Sequence, residues 1–454
     1  MTKGPLSSLK ILDFSTLLPG PFATMMLSDL GADVLCIEGL PSKNKNDKLK
    51  TPPSMREYLG RSKKSLGLNL KEGSSREIIK RLLKNYDIIV EQFRPGVMKR
   101  LGLDYEKLSI INPSLIYCSI TGFGQTGPYR DRAGHDINYL SLCGVSSYSG
   151  VKREGPILTG PQIADIAGGS FHAVTGILAS VIHREKTGEG QYIDISMMDG
   201  SFALNSIHGA DSLANQKDLS FESTLLNGGS FYGYYKTKDD RFFSVGSLEP
   251  KFFSELCKGL DRQDILEMTL KGENKGNDFI KEEFKKTFKS KTFKEWRGIF
   301  SKLDACVEPV LSFQESVKDP HIKERGLIVD VPSGNEEESK KQIGSPFKFS
   351  SFNILLFLCL AFGQGSGYKI NISSKICFDK CDNSSLISLL NSLIFLYFST
   401  SKLVINEASP FTYGSQPIKI LFFSDLLIKL SKFSPEPKPI SKLILFLFLK
   451  VSEI

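Results

Sequence analysis

Tryptophan occurs once and histidine five times in these 454 residues. With so few imidazoles, each can be weighed individually as an acid–base group. Eight cysteines are scattered without zinc spacing. Cys377 and Cys381 form a lone C-x3-C pair with no second pair or nearby histidine, so no metal site is expected. Neither H-E-x-x-H nor G-x-S-x-G occurs, which removes zincin and serine-hydrolase readings. Runs long enough for a bilayer are also missing. The apolar stretches 353–362, 386–398 and 443–449 all fall short of the roughly 18–20 residues a span needs. Residues 1–10 lack an apolar core, so a secretory signal is not expected. Val451-Ser-Glu-Ile454 is not a peroxisomal ending, and a cytoplasmic protein with reduced thiols is the default. The net charge of +8 is too diluted to argue for nucleic acid and suits a small anionic ligand as well.

What is present is a well-mixed globular texture up to about residue 350. Short apolar strands at 9–14, 34–38, 87–91, 115–120 and 191–198 alternate with helical stretches at 21–30, 75–85 and 166–185. That order implies βαβ units and a mostly parallel sheet. Ser74-x-x-Glu77 reads as a capping box opening the second helix. From about residue 231 a hairpin around 237–240 and helices at 251–259 and 278–302 indicate a smaller α+β domain. The expected organisation is an α/β, Rossmann-like large domain over 1–225, a small α+β domain over 226–330, a return segment over 331–350, and a tail over 351–454. Ile, Leu, Phe and Ser supply more than half of that tail, which has no Arg, His, Met or Trp. It reads as a segment outside folding selection; the alternative is an appended hydrophobic module.

Gly122-x-Gly124-x-x-Gly127 matches a dinucleotide fingerprint and follows an apolar strand. Pro128-Tyr-Arg-Asp-Arg132 comes next rather than an apolar helix, so a flexible Gly-rich loop is the better reading. Arg61-Ser-Lys63-Lys64 precedes one strand and Arg94, Lys99 and Arg100 follow another. Such cations either hold phosphates by charge-assisted bonds or are solvated surface. His135 stands out among the histidines because it lies in Ala133-Gly-His135-Asp136-Ile-Asn138-Tyr139, where glycine permits close ligand approach. Asp165 precedes the long helix, where a capping role is the bland alternative. Glu249, in Gly246-Ser-Leu-Glu249-Pro250, could equally be a helix-start acid.

Taken together these segments resemble the family III CoA-transferase superfamily, and within it the α-methylacyl-CoA racemases. The matching runs are Leu12-Asp-Phe-Ser-Thr-Leu-Leu-Pro-Gly-Pro21, Leu30-Gly-Ala-Asp-Val34, Phe93-Arg-Pro-Gly-Val97, Ile120-Thr-Gly-Phe-Gly-Gln-Thr-Gly-Pro128, Gly134-His135-Asp136-Ile137-Asn138-Tyr139-Leu140, Ala164-Asp165-Ile-Ala-Gly-Gly169 and Val245-Gly-Ser-Leu-Glu249-Pro250. They span about residue 5 to about residue 350. The resemblance implies an acyl-CoA substrate that is itself the reactant, no separate cofactor, and a homodimer interlocked like links. It also implies CoA contacts from Leu68, Asn69, Leu70, Lys71 and from Gly134, Asp136, Ile137, Asn138 and Tyr139. Arg61, Lys63, Lys64 and Arg94 are plausible neighbours. An arginine that some racemases carry after the acid matching Glu38 is Gly39 here.

The hydrogen beside a thioester carbonyl is weakly acidic, because its loss gives an enolate. Inverting that carbon needs a base on each face, each acting as the conjugate acid in the other direction. By resemblance His135 and Asp165 are that pair. Glu249 supports His135, from a neighbouring subunit on the dimer reading, and fixes its tautomer. Family transferases use an aspartate at the position of Asp165 as nucleophile and generally lack the histidine. The expected activity is therefore racemase (epimerase) action on 2-methylacyl-CoA. The alternatives are CoA transfer through an aspartyl thioester and a catalytically impaired CoA-binding paralogue.

Overall fold

The computed structural model describes residues 4–39, 52–272, 276–332 and 339–351, with two short strands, Pro410–Tyr413 and Gln416–Lys419. The rest of the 351–454 tail, including Cys377 and Cys381, lies outside the described residues. The chain begins β1 (Lys10–Asp13), α1 (Pro19–Asp29), β2 (Asp33–Glu38), α2 (Pro53–Gly60), β3 (Lys64–Gly67), α3 (Gly73–Leu82) and β4 (Ile88–Glu91). It continues through α4 (Val97–Leu101), α5 (Tyr105–Ile111), β5 (Ile116–Thr121) and α6 (Asp136–Leu142). Two two-residue strands, β6 (Gly150–Val151) and β7 (Gly155–Pro156), pair with each other. A π-helix, Ala164–Phe171, then runs into α7 (His172–Thr187), followed by β8 (Tyr192–Ser196), α8 (Met197–Ala203) and α9 (Ser206–Asn215).

Six strands form one sheet in the order β3-β2-β1-β4-β5-β8, and every pairing in it is parallel. Helices cover both faces, as parallel strands require. One apolar layer joins Ile11, Ile88, Ile116, Cys118 and Ile120 to Ala173, Val174 and Ile177 of α7. The other joins Leu12, Ile89 and Tyr117 to Ile78, Ile79 and Leu82 of α3. The run Ala164–Thr187 is long and apolar enough to cross a membrane. Its inner residues sit in the sheet core, which is the position of a core helix. The strand order reverses direction between β1 and β4, and crevices in such sheets open at the carboxyl ends of strands beside that point.

The second unit has β9 (Gly233–Lys236), β10 (Phe242–Val245) and β11 (Val307–Pro309) as an antiparallel sheet. It packs against α10 (Pro250–Leu260), α11 (Gln263–Leu270), α12 (Asn277–Phe288) and α13 (Phe293–Phe300). Phe243, Phe284, Phe288, Trp296 and Phe300 fill its core. The indole N–H of Trp296 donates to the Phe288 carbonyl at 2.8 Å. The chain then returns to the first unit through the hairpin of β12 (Ile328–Pro332) and β13 (Ser339–Ile343). Arg61 donates to the Ile343 carbonyl, and Lys340 pairs with Glu57 at 2.8 Å.

Three local expectations change. The Ser74–Glu77 capping box does not form: α3 starts at Gly73 with Glu72 at its N-cap and no side-chain cap. Glu77 pairs instead with Lys80, 2.7 Å away. The 278–302 stretch is two helices, divided where Thr292 and Glu295 make a capping box for α13. The long helix expected at 166–185 begins earlier and as a π-helix, so Asp165 sits inside it and is not its N-cap, which is Ile163.

Candidate active site

The carboxyl ends of β1, β4 and β5 feed three loops that enclose a cleft of about 360 Å³. Leu17 comes from the first loop, Gln92, Phe93 and Arg94 from the second, and Gly122 and Phe123 from the third. Arg130, Arg132, His135, Asn138 and Tyr139 close the remaining side. An adjoining hollow of about 440 Å³ shares Phe123, Arg132 and Asn138 and extends to Leu142.

His135 is the N-cap of α6 and is exposed on the cleft wall. Its backbone N–H donates to Asn138 Oδ1 at 3.0 Å, which sets the start of the helix. Tyr139, one turn in, is buried, and its hydroxyl donates to the Gly134 carbonyl at 2.6 Å. The ring lies so close to the chain that a Cβ at Gly122 would stand 2.5 Å from the Tyr139 oxygen, and one at Gly134 2.6 Å from the ring. Only glycine fits at either place, so these two residues let the cleft wall fold onto the tyrosine.

Asp165 lies in the π-helix, a form that often marks functional positions. Its backbone N–H donates to Asp136 Oδ1 at 3.0 Å. Burial, and next the like charge of Asp136, push the Asp165 carboxyl up to about 6, against the pull of His135. Burial and then Asp165 and Asp136 likewise push the Tyr139 hydroxyl up to about 12, against Arg94. His135, Asp136, Tyr139, Asp165 and Arg94 therefore share one electrostatic neighbourhood. A carboxyl group near 6 is poised to exchange protons around neutrality.

Other expected residues lie elsewhere. Ile137 is exposed on α6. Asn69, Leu70 and Lys71 form a turn after β3 at the sheet edge, where the Lys71 amide donates to Asn69 Oδ1 at 3.2 Å. That turn is on the same sheet rim as the cleft but does not line it. Arg61 and Leu68, expected among the CoA contacts, are each 1% exposed. Arg61 is held by both oxygens of Asp29, at 2.9 and 2.5 Å, because a buried guanidinium must be paired. Lys63 is also buried, bonded to Thr24 at 2.6 Å and the Pro21 carbonyl at 2.9 Å. Lys64 pairs with Asp33 at 2.9 Å. Glu249 is exposed at the N-cap of α10 in the second unit, within electrostatic reach of Cys306. Gly168 and Gly169, which close the Ala164–Gly169 run, are buried, and Gly168 packs on the Met197 carbonyl and Ser201 of α8. Among the described residues, no group of three or more His, Cys, Asp or Glu is placed to hold a metal ion.

Arg130, Arg132, Gln92 and Thr121 are site residues that reading the sequence missed. The cue was the Pro128-Tyr-Arg-Asp-Arg132 run, which denied the loop a dinucleotide helix but supplies the cleft with two guanidinium groups. Arg132 lies over the Tyr129 ring at 4.2 Å, and Phe123 bridges Tyr129 and Tyr139 edge-to-face. Gln92 Oε1 and Thr121 Oγ1 are buried without a hydrogen-bond partner, a costly arrangement away from a ligand or water.

A sequence profile described as CoA-transferase family III matches residues 6–356. The α-methylacyl-CoA racemase of Homo sapiens is 38% identical over 326 residues, covering 71% of this chain and 82% of the racemase. The succinyl-CoA:glutarate CoA-transferase of Homo sapiens is 32% identical over 337 residues, covering 72% of this chain and 76% of the transferase. Among solved structures, a CAIB/BAIF family protein from Brucella suis superposes with a TM-score of 0.66 at 26% identity, over 79% of this chain and 95% of that one.

Proposed function

The chain belongs to CoA-transferase family III, and from that premise we propose that it inverts the α-carbon of 2-methylacyl-CoA thioesters by transferring a proton between two bases. The observation that supports this reading is the 3.0 Å bond from the Asp165 amide to the side chain of Asp136, the residue after His135, which lines the cleft. A transferase needs a nucleophilic carboxylate but has no use for an imidazole there.

In one direction, ionised Asp165 removes the α-hydrogen and the C–H electron pair moves into the thioester as an enolate. Protonated His135 then delivers a proton to the opposite face. The reverse direction exchanges the roles, so each turnover leaves the two groups swapped in protonation state. The thioester carbonyl is the electron sink, so the reaction calls for no separate cofactor. Arg94, Arg130 and Arg132 offer charge-assisted bonds to the CoA phosphates and can stand in for the arginine replaced by Gly39. Glu249 is exposed on the second unit; in a homodimer it would orient His135 of a second copy.

The test is incubation of one 2-methylacyl-CoA epimer in deuterated water. Deuterium uptake at the α-carbon without an acceptor acid is the expected result. His135→Ala and Asp165→Ala should each lower interconversion of the two epimers by about 10²–10⁴-fold while CoA binding persists. CoA transfer that requires an acceptor acid, with a trapped acyl-Asp165, would move the protein to the transferase class. CoA binding with neither reaction would leave an impaired paralogue.

A further inference from the structure

Glu91 is a buried acid that the proton transfer does not use. It ends β4 and is 4% exposed. Ser119, opposite it in the β4–β5 register, donates to Oε1. The Phe93 amide donates to Oε2 at 2.8 Å. The three residues that follow Glu91 are the Gln92, Phe93 and Arg94 of the cleft wall. Gln92 Oε1 is unpartnered there, and so is Thr121 Oγ1, on a side chain 7% exposed.

We propose that Glu91 is a positioning residue whose carboxylate holds the Gln92–Arg94 segment against the cleft, so that affinity for CoA falls when Glu91 takes up a proton. This rests on the reading that the cleft binds CoA. The Phe93 bond is charge-assisted only while Glu91 is ionised, and such bonds are roughly twice as strong as neutral ones. A proton on Oε1 would also have to be donated to Ser119, whose Oγ already accepts from the Tyr192 hydroxyl at 3.1 Å. The hydroxyl hydrogen of Ser119 would then lose its carboxylate acceptor.

The surroundings put this event near neutrality. Burial pushes the Glu91 carboxyl up to about 7, with Asp194 adding to the rise and Ser119 and Phe93 opposing it. The groups around it are Tyr117 and Cys118 on β5 and Tyr192 and Asp194 on β8. Asp104 and Glu106, at the start of α5, act on Tyr117. Asp194, which is exposed, accepts from the Gln125 amide at 2.9 Å and so holds the neighbouring glycine loop.

The test is calorimetric binding of free CoA, which cannot react, to the full chain between pH 6 and pH 8. CoA phosphate itself titrates near pH 6, so the quantity read is the ratio of Kd for Glu91→Gln to Kd for the unaltered protein. The expected ratio is about five at pH 8, falling to near one at pH 6. A second arm guards against misfolding of that variant. Ser119→Ala should move the midpoint of the pH dependence upward, and Asp194→Asn, which keeps an acceptor for Gln125, should move it downward. A pH-independent ratio, or both midpoints unmoved, overturns the assignment while leaving the proposed function intact. Absence of CoA binding at any pH overturns both.

Discussion

The backbone N–H of Asp165 is bonded to the side chain of Asp136, the residue that follows His135, at 3.0 Å. One carboxylate thereby ties the π-helix that carries one candidate base to the helix start that carries the other. Asp136 also acts through its charge, since it is second to burial among the causes that raise Asp165.

Replacing Asp136 by asparagine separates those two effects, because the amide oxygen keeps the acceptor and loses the charge. Asp165 must be ionised to remove a proton, so turnover in that direction falls as pH drops through about 6. Without the like charge Asp165 ionises more readily, and the acidic limb of the pH–rate profile shifts to lower pH. Activity at pH 5, relative to pH 8, should rise roughly two- to fivefold. Asp136→Ala should instead lower turnover at every pH, since it also releases the tether. An acidic limb that stays in place in Asp136→Asn would mean another group controls it.

Most of the scaffold was legible in the residues. Apolar runs such as Ile88–Glu91 and Ile116–Thr121 are buried throughout, which is the pattern of strands covered on both faces. Gly31, which follows the helix expected at 21–30, has φ +102° just past α1. His135 and Asp165 were found through motif likeness. The bond between Asp165 and Asp136, 29 residues apart, had no local signal. The fate of Arg61 was equally hidden: its partners are Asp29 and Ile343, 32 and 282 residues away. Phosphate contact and burial begin from the same basic run, and only tertiary pairing separates them. The Ser74–Glu77 box failed because α3 begins two residues earlier than the box requires.

Glu91 makes a prediction about stability that is independent of any ligand. Its carboxyl rises from 4.5 to about 7 on folding. As pH climbs through that window, the unfolded chain loses the proton first and the folded chain keeps it. Folding stability therefore falls with rising pH, by about 3 kcal/mol across the window. Glu91→Gln has no proton to lose, so its melting temperature relative to the unaltered protein should increase from pH 5 to pH 8. Calorimetric melts at the two values check this; an equal difference at both would remove Glu91 from the pH response.

Glu249 bears on assembly. It sits on the second unit, exposed, with no hydrogen bond to His135 among the described residues. If a homodimer joins Glu249 of one copy to His135 of the other, two crippled chains can complement. His135→Ala and Glu249→Gln, each weakly active alone, should recover roughly a quarter of normal exchange when unfolded together and refolded at equal amounts. Half of the dimers are then mixed, and each mixed dimer holds one intact site. No recovery beyond the sum of the separate variants would place His135 and Glu249 in the same copy, or make Glu249 irrelevant to the histidine.

The return segment sets where the chain can be cut. Arg61 on the large unit holds the Ile343 carbonyl, and Lys340 holds Glu57, so a truncation before Ile343 would remove one acceptor from a buried guanidinium. Asp29 would still pair with Arg61, but a buried N–H left without its acceptor is destabilising. A stop after Ser351 keeps these contacts, and His135, Asp165, Glu249 and the cleft residues all precede it. The removed sequence includes Leu443-Ile-Leu-Phe-Leu-Phe-Leu449, an uncharged run of high β-propensity of the kind that aggregates when exposed. Chains ending at 351 should be more soluble than the full chain and keep CoA binding and α-carbon exchange within about twofold, since the cut removes none of the cleft residues. Chains ending at 335 should melt at clearly lower temperature. Loss of folding or exchange in the 351 chain while the full chain stays active would show that the tail supplies part of the working structure.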